Sequence, residues 1–247
     1  MAREYDIPKL TAKTRESHAR LDRTLSTLDE DAIRKRSMLP GWSRAHVLAH
    51  LARNAEALSR MMTAAINGEV ADQYPGGAEA RNADIEETAK AAVAELVEDV
   101  RKTARTLDET AEQVPPDAWQ RPVRFLAIGE QPAARTIWLR WREVEIHHSD
   151  LGLVYNPSDW PDEFLTEYLP GELRRLPGRL PAGLSVVMRV DRYEGTYGPA
   201  DAPTMSLTGQ PWAVYAWLTG RVDQASAGLH AEFNNTPIEL LHLPWWA

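Results

Sequence analysis

The sequence predicts a mainly α fold joined to an α+β one: a four-helix bundle over residues 1–155, then a small α+β unit over residues 156–247. Three observations predict it. Apolar residues recur at helical spacing in four long stretches before residue 155. From Asn156 onward the punctuation changes, with Pro157, Pro161, Pro170, Pro177, Gly178 and Pro181 crowding one segment. Two pairs of metal-binding residue types, His46/His50 and Glu143/His147, stand at i,i+4 spacing on two of the helical stretches, as in bundles that build a metal site in their core.

The first helix runs from about Ile7 to Leu28 on the spacing of Leu10, Thr14, His18, Leu21, Leu25 and Leu28. Pro40-Gly41-Trp42 then breaks the chain, and Ser43 is the expected N-cap of the second helix. Its apolar stripe is Val47, Leu48, Leu51, Leu58, Met62 and Ala65, with Asn67-Gly68 as the stop and His46, His50, Asn54 and Ala57 on a neighbouring stripe. After the turn-forming Tyr74-Pro75-Gly76-Gly77, one long pattern through Ile85, Ala89, Leu96, Val100, Leu107 and Val114 predicts the third helix, closed by Pro115-Pro116. Trp119 to Gly129 reads as a connection with short extended pieces, and Ala133 to about Leu151 as the fourth helix. In the tail, the proline-rich stretch has room only for short helices. Ser185–Tyr193 and Thr204–Thr208 read as strands, and QPWAVYAWLTGR as a helix with Trp212, Tyr215 and Leu218 on one face. Trp119, Trp138, Trp141, Trp212 and Trp217 are expected to fill the core or a domain interface.

Composition narrows the function. The 247 residues are 43% hydrophobic and 26% charged, within the globular range. A net charge of −8 argues against a nucleic-acid partner, which calls for a basic face. The N-terminus MAREYDIPKL lacks the apolar core of a signal peptide and no run approaches the ~18 apolar residues of a membrane span, so a cytoplasmic location without membrane association is expected. The chain has no cysteine. Disulfides, thiolate ligands and a protein-borne sulfur nucleophile are therefore excluded, and any thiol chemistry must use a small-molecule thiol.

The two i,i+4 pairs carry the chemistry. Imidazole nitrogen and carboxylate oxygen suit a divalent ion of the zinc kind, and a three-ligand His/His/Glu set keeps a position open for water or substrate. Taken alone, either pair is an ordinary feature of a solvated helix. The second pair differs in context, because Ile137, Trp138, Trp141 and Val144 occupy the opposite side of the helix while Leu139 and Ile146 flank the pair. Such a helix is expected to be buried, and a buried Glu and His need partners.

GWSRAHVLAHLARNAEAL, EARNADI, REVEIHHSDLG and AWLTGR together resemble the mycothiol-dependent maleylpyruvate isomerase family over nearly the whole chain. The resemblance implies a DinB-like four-helix N-terminal domain and a smaller α+β C-terminal domain. It also implies a metal held by His50, Glu143 and His147. His46 is then a helix-packing or outer-shell histidine. Asp150, one turn past His147, either orients an imidazole or makes a helix-end contact. Glu145 and His148 lie away from the ligand face and read as incidental to metal binding; the family usually has apolar residues at both, which leaves the local packing open. Arg81 and Arg221 match positions that the family uses for substrate or thiol binding, and a guanidinium can hold a carboxylate bidentately. Use of Arg221 would place the active site between the two units. Asn54 is a weaker candidate for a polar contact.

The activity so implied is a cis-trans isomerisation by reversible conjugate addition of a low-molecular-weight thiol, mycothiol or another, with a divalent metal, zinc being expected. The partners are that thiol and a small electrophilic substrate, acting on a monomer or weak homo-oligomer. Two readings stay open beside it: a thiol S-transferase using the same metal, and a non-catalytic metal-binding module.

Overall fold

The computed structural model describes residues 4–180, 183–222 and 224–240. The chain divides into two compact units, residues 1–155 and 156–247.

The first unit is built on four long helices: α1 (Ile7–Leu25), α3 (Arg44–Asn67), α5 (Val93–Gln113) and α6 (Ala134–Asp150), with two shorter ones, α2 (Glu30–Arg34) and α4 (Gly77–Thr88). α1 packs on α5 and α6, and α3 packs on the same two, which closes the four into a bundle. α1 starts where Asp6 accepts the Lys9 N–H and ends at Leu25, one turn short of the predicted Leu28. α3 starts at Ser43 as predicted and ends at Gly68, whose φ of 76° is left-handed. Leu48, Leu51, Leu58, Met61 and Met62 of α3 are fully buried, each contributing roughly 1.5–3 kcal/mol through apolar burial.

The predicted third helix is two helices. The segment between α4 and α5 carries neither Pro nor Gly, and its local signal is slight: Glu95 accepts the Ala92 N–H at 3.3 Å. Contacts from α2 make the break. Arg34 donates to the Ala89 and Ala91 carbonyls, both at 2.6 Å, and Glu30 accepts the Val93 N–H at 2.9 Å, capping the start of α5. Between α5 and α6 the connection forms a hairpin of β1 (Pro122–Phe125) and β2 (Gly129–Pro132). β1 also braces the preceding loop, through Arg124 N–H to Ala71 O at 3.0 Å and Gln73 N–H to Arg124 O at 2.8 Å. That brace fixes Tyr74, the next residue.

Glu145 and His148, on the side of α6 away from the paired ligands, are buried. Glu145 accepts from Ser17, Arg20 and Tyr155. His148 bonds Thr24 Oγ1 at 2.7 Å and stacks on Tyr155 with ring centroids 4.0 Å apart. Burial, with help from the charges of Arg20 and Arg23, pushes the His148 pKa down to about 3. The unfolded chain would protonate it near 6.5. Between these values the unfolded state binds more protons, so stability is full above pH ~6.5 and declines as pH falls toward ~3. In a His148→Phe variant, denaturant unfolding should show a smaller loss of stability across this window than in the parent protein; an unchanged loss would mean that His148 does not govern acid sensitivity.

The second unit holds α7 (Asp162–Arg175), α8 (Pro211–Leu218), α9 (Gln224–Ala227) and a five-stranded sheet in the order β4 (Gly195–Tyr197), β3 (Ser185–Arg189), β5 (Thr204–Thr208), β6 (His230–Phe233), β7 (Thr236–Ile238). β3 and β5 are parallel and the other neighbours antiparallel. The β6–β7 turn is Asn234-Asn235 with φ of 50° and 60°, the all-positive pattern of a tight hairpin turn that asparagine tolerates. α7 corrects the expectation of only short helices here: it runs 14 residues with Pro170 inside. Phe164, Leu165, Tyr168, Leu169 and Leu173 bury along it, which offsets the hydrogen bond that proline removes. Among the described residues, no helix is long and apolar enough to cross a membrane.

Candidate metal centre

His50 of α3 and Glu143 and His147 of α6 meet inside the first unit, with one potential ligand atom from each lying within 4.8 Å of the others. Glu143 Oε2 stands between the imidazoles, 2.9 Å from His50 Nε2 and 3.4 Å from His147 Nε2. The two rings meet edge to face with centroids 4.6 Å apart. Two nitrogens and a carboxylate oxygen this close are the donor set for a zinc-like ion, so the residues present fit such a group.

The surroundings set each donor's state. Burial alone would raise the Glu143 pKa, but His147 and His50 outweigh it and hold the carboxyl well below the usual carboxylate range. Burial pushes His50 down to about 4 against the pull of Glu143, so its imidazole is neutral at physiological pH. For His147 burial is outweighed by Asp150 and Glu143, and the pKa is raised.

Asp150 Oδ2 lies 2.8 Å from His147 Nδ1. Both contacts expected of Asp150 are made: its carboxylate orients the His147 ring so that Nε2 faces Glu143, as outer-shell partners do for metal ligands, and its carbonyl accepts the Met38 N–H at 2.7 Å at the helix end. An Asp150→Asn variant should weaken zinc binding ~10–100-fold in competition with a chelator, and unchanged affinity would remove Asp150 from the centre.

His46 is spent elsewhere. Its Nδ1 accepts the Ser43 N–H at 3.2 Å while Ser43 Oγ receives the His46 N–H, closing a capping box at the start of α3. Its Nε2 faces Glu86 at 3.2 Å.

Arg81 falls within α4, and its Nη2 lies 3.2 Å from His50 Nδ1. The Arg81 guanidinium lies over the Tyr74 ring, 5.7 Å from its centroid. Asn54 Oδ1 accepts from Arg140 Nη1 at 2.9 Å, and the same nitrogen reaches Leu51 O at 2.8 Å. Arg140 Nε donates to His18 Nε2 at 3.1 Å, whose Nδ1 faces Asp108 at 3.1 Å. Burial pushes the pKa of Arg140 down to about 10, against the pull of Glu143 and Asp108. Tyr74, Arg140, His18 and Asp108 were not singled out by the sequence as parts of this network; the one signal was Arg140, a charge one turn before Glu143 on a helix predicted to be buried. Arg221 belongs to the second unit, where it is buried and donates to Thr219 O at 2.6 Å.

The family model described as "Mycothiol maleylpyruvate isomerase N-terminal domain" matches residues 14–152. No curated protein sequence matches the chain. Two solved structures are similar: a crystal structure of the mycothiol-dependent maleylpyruvate isomerase, with TM-score 0.82 and 27% identity, and one of a histidine-to-alanine mutant, with TM-score 0.84 and 27% identity. In both cases 97% of this chain and 97% of the other are covered. The family match takes in more than half of the residues, and the chain belongs to the mycothiol maleylpyruvate isomerase family.

Proposed function

We propose that the chain catalyses a maleylpyruvate-type cis-trans isomerisation that depends on a divalent metal and on mycothiol. The convergence of His50, Glu143 and His147 carries the reading, and family membership gives the reaction class. Rotation about a conjugated double bond is slow until a thiol sulfur adds to one of its carbons and leaves a single bond. Turning about that bond and eliminating the same thiol gives the trans isomer, with no net consumption of thiol.

Zinc or a similar ion at this centre would lower the pKa of the thiol or polarise the substrate carbonyl. The protein's part is to hold and orient. His50, Glu143 and His147 supply the ligands, and Asp150 locks the His147 ring. Arg81 carries a guanidinium to the edge of the centre, where it can hold a substrate carboxylate. Arg221 enters as a second carboxylate-holding group on the resemblance alone. Asn54 is taken up in holding Arg140, so its role here is positioning.

The test is incubation of zinc-loaded protein with mycothiol and maleylpyruvate, following product by chromatography and free thiol by titration. Isomer formed at constant thiol is the expected result. A stable thiol adduct would make the chain an S-transferase, and neither product would remove the catalytic reading.

A further inference from the structure

A cavity of about 420 Å³ lies between α3 and α4. Its walls are two helix faces. α3 contributes Arg53, Glu56, Ala57 and Arg60, spaced i, i+3, i+4, i+7, and α4 contributes Arg81, Asp84, Glu87 and Thr88, spaced i, i+3, i+6, i+7. Tyr74 and Pro75 complete it. α4 buries only Ile85, so little apolar packing explains why this helix stands where it does. Its polar stripe instead faces the polar stripe of α3.

The cavity joins the metal centre through shared residues. Arg81 lines it and touches His50 Nδ1. Tyr74 lines it, and burial together with the negative charge of Glu143 raises the Tyr74 pKa.

The lining chemistry identifies the occupant. Three guanidiniums, Arg53, Arg60 and Arg81, stand against three carboxylates, Glu56, Asp84 and Glu87. The wall has no net charge, and Arg53 is already neutralised by Asp99 at 2.5 Å and Glu56 at 3.3 Å. A small dicarboxylate would meet as much repulsion as attraction here. A polyhydroxylated ring meets both halves of what it needs: carboxylates accept from its hydroxyls, guanidiniums donate to them, and Tyr74 with Pro75 and Ala57 offers carbon surface to its C–H face. The volume is within the range of small-molecule sites.

We infer that this cavity binds the uncharged, polyhydroxylated sugar–cyclitol portion of the thiol cofactor, leaving the sulfur end directed to the Arg81 side and the metal centre. Asp84, Glu56 and Arg60 are then thiol-specificity residues. The inference rests on the function proposed above for its choice of thiol, and the experiment separates the two.

Zinc-loaded protein is titrated calorimetrically with mycothiol and with N-acetylcysteine, which has the thiol but no polyol. The expected result is tighter binding of mycothiol by about tenfold or more, and a fall of that ratio by about tenfold in Asp84→Ala and in Arg60→Ala, with metal content and unfolding midpoint showing that each variant is folded. The same preparations are assayed for isomerisation. Equal affinities for the two thiols, or a ratio that neither variant alters, overturns the inference whatever the activity. A preserved ratio in an inactive parent protein overturns the isomerase reading alone.

Discussion

Glu143→Ala should strip the protein of its metal and of turnover while leaving it folded. Glu143 is the ligand that both imidazoles face, so its removal leaves two nitrogens and no charged ligand to offset the charge of the ion. Loss of an outer-shell partner typically weakens a metal site 10–100-fold, and loss of a ligand should exceed about 100-fold. The matching control is His46→Ala. Because His46 closes the α3 cap, that variant should cost on the order of 1 kcal/mol of stability and keep stoichiometric zinc. Metal analysis after dialysis, with turnover, decides the matter. Equal loss of metal in both variants would mean that His46 is a ligand, and zinc retained by Glu143→Ala would dissolve the centre.

Glu145→Ala, two residues along the same helix, should behave in the opposite way. Its carboxylate is fully buried and accepts from three side chains. Deleting one member of a buried ion pair typically costs ~3–5 kcal/mol, since the remaining polar groups lose their partner. Arg20 is partly exposed and can recover water, which places the expected cost at the lower end, while Ser17 and the Tyr155 hydroxyl gain no such relief. Against a total stability of ~5–15 kcal/mol this is a large fraction. Denaturant unfolding should show the loss, and zinc affinity measured below the transition should be close to that of the parent. Glu145→Gln, which keeps an acceptor, should recover part of it. A loss under about 1 kcal/mol would show that the cluster contributes little.

These two glutamates mark where sequence reading succeeds and where it stops. Spacing within one helix is local, so the Glu143/His147 pair and the Ser43 start of α3 were legible from a few adjacent residues. Helical phase also set Glu145 and His148 apart from the ligand face. It does not say what lies behind them, and α1 lies there, bringing Ser17, Arg20 and Thr24 from more than 100 positions away. Likewise His46 and His50 are equivalent by spacing, and only a bond to Ser43 makes one of them part of a cap. The division of the third helix was hidden for the same reason, because the residues between α4 and α5, Ala89 to Ala92, are good helix formers and most of the groups that hold the break belong to α2. Tyr74 sits in a turn that pattern reading treats as punctuation, and its role follows from the hairpin that braces it.

The Arg140 bonds to α3 have one more consequence. His50 faces Glu143, and Asn54, four residues later, faces Arg140, three residues earlier, so the two helices run past each other in opposite directions. If α6 slid by one turn, about 5.4 Å, a guanidinium in dry surroundings would lose the Leu51 carbonyl and the Asn54 amide together. A buried charge with only one place to dock sets the register of two helices. Arg140 thus acts as an indexing pin: by penalising every other alignment of α6 on α3, it keeps the donors opposite one another before any ion arrives.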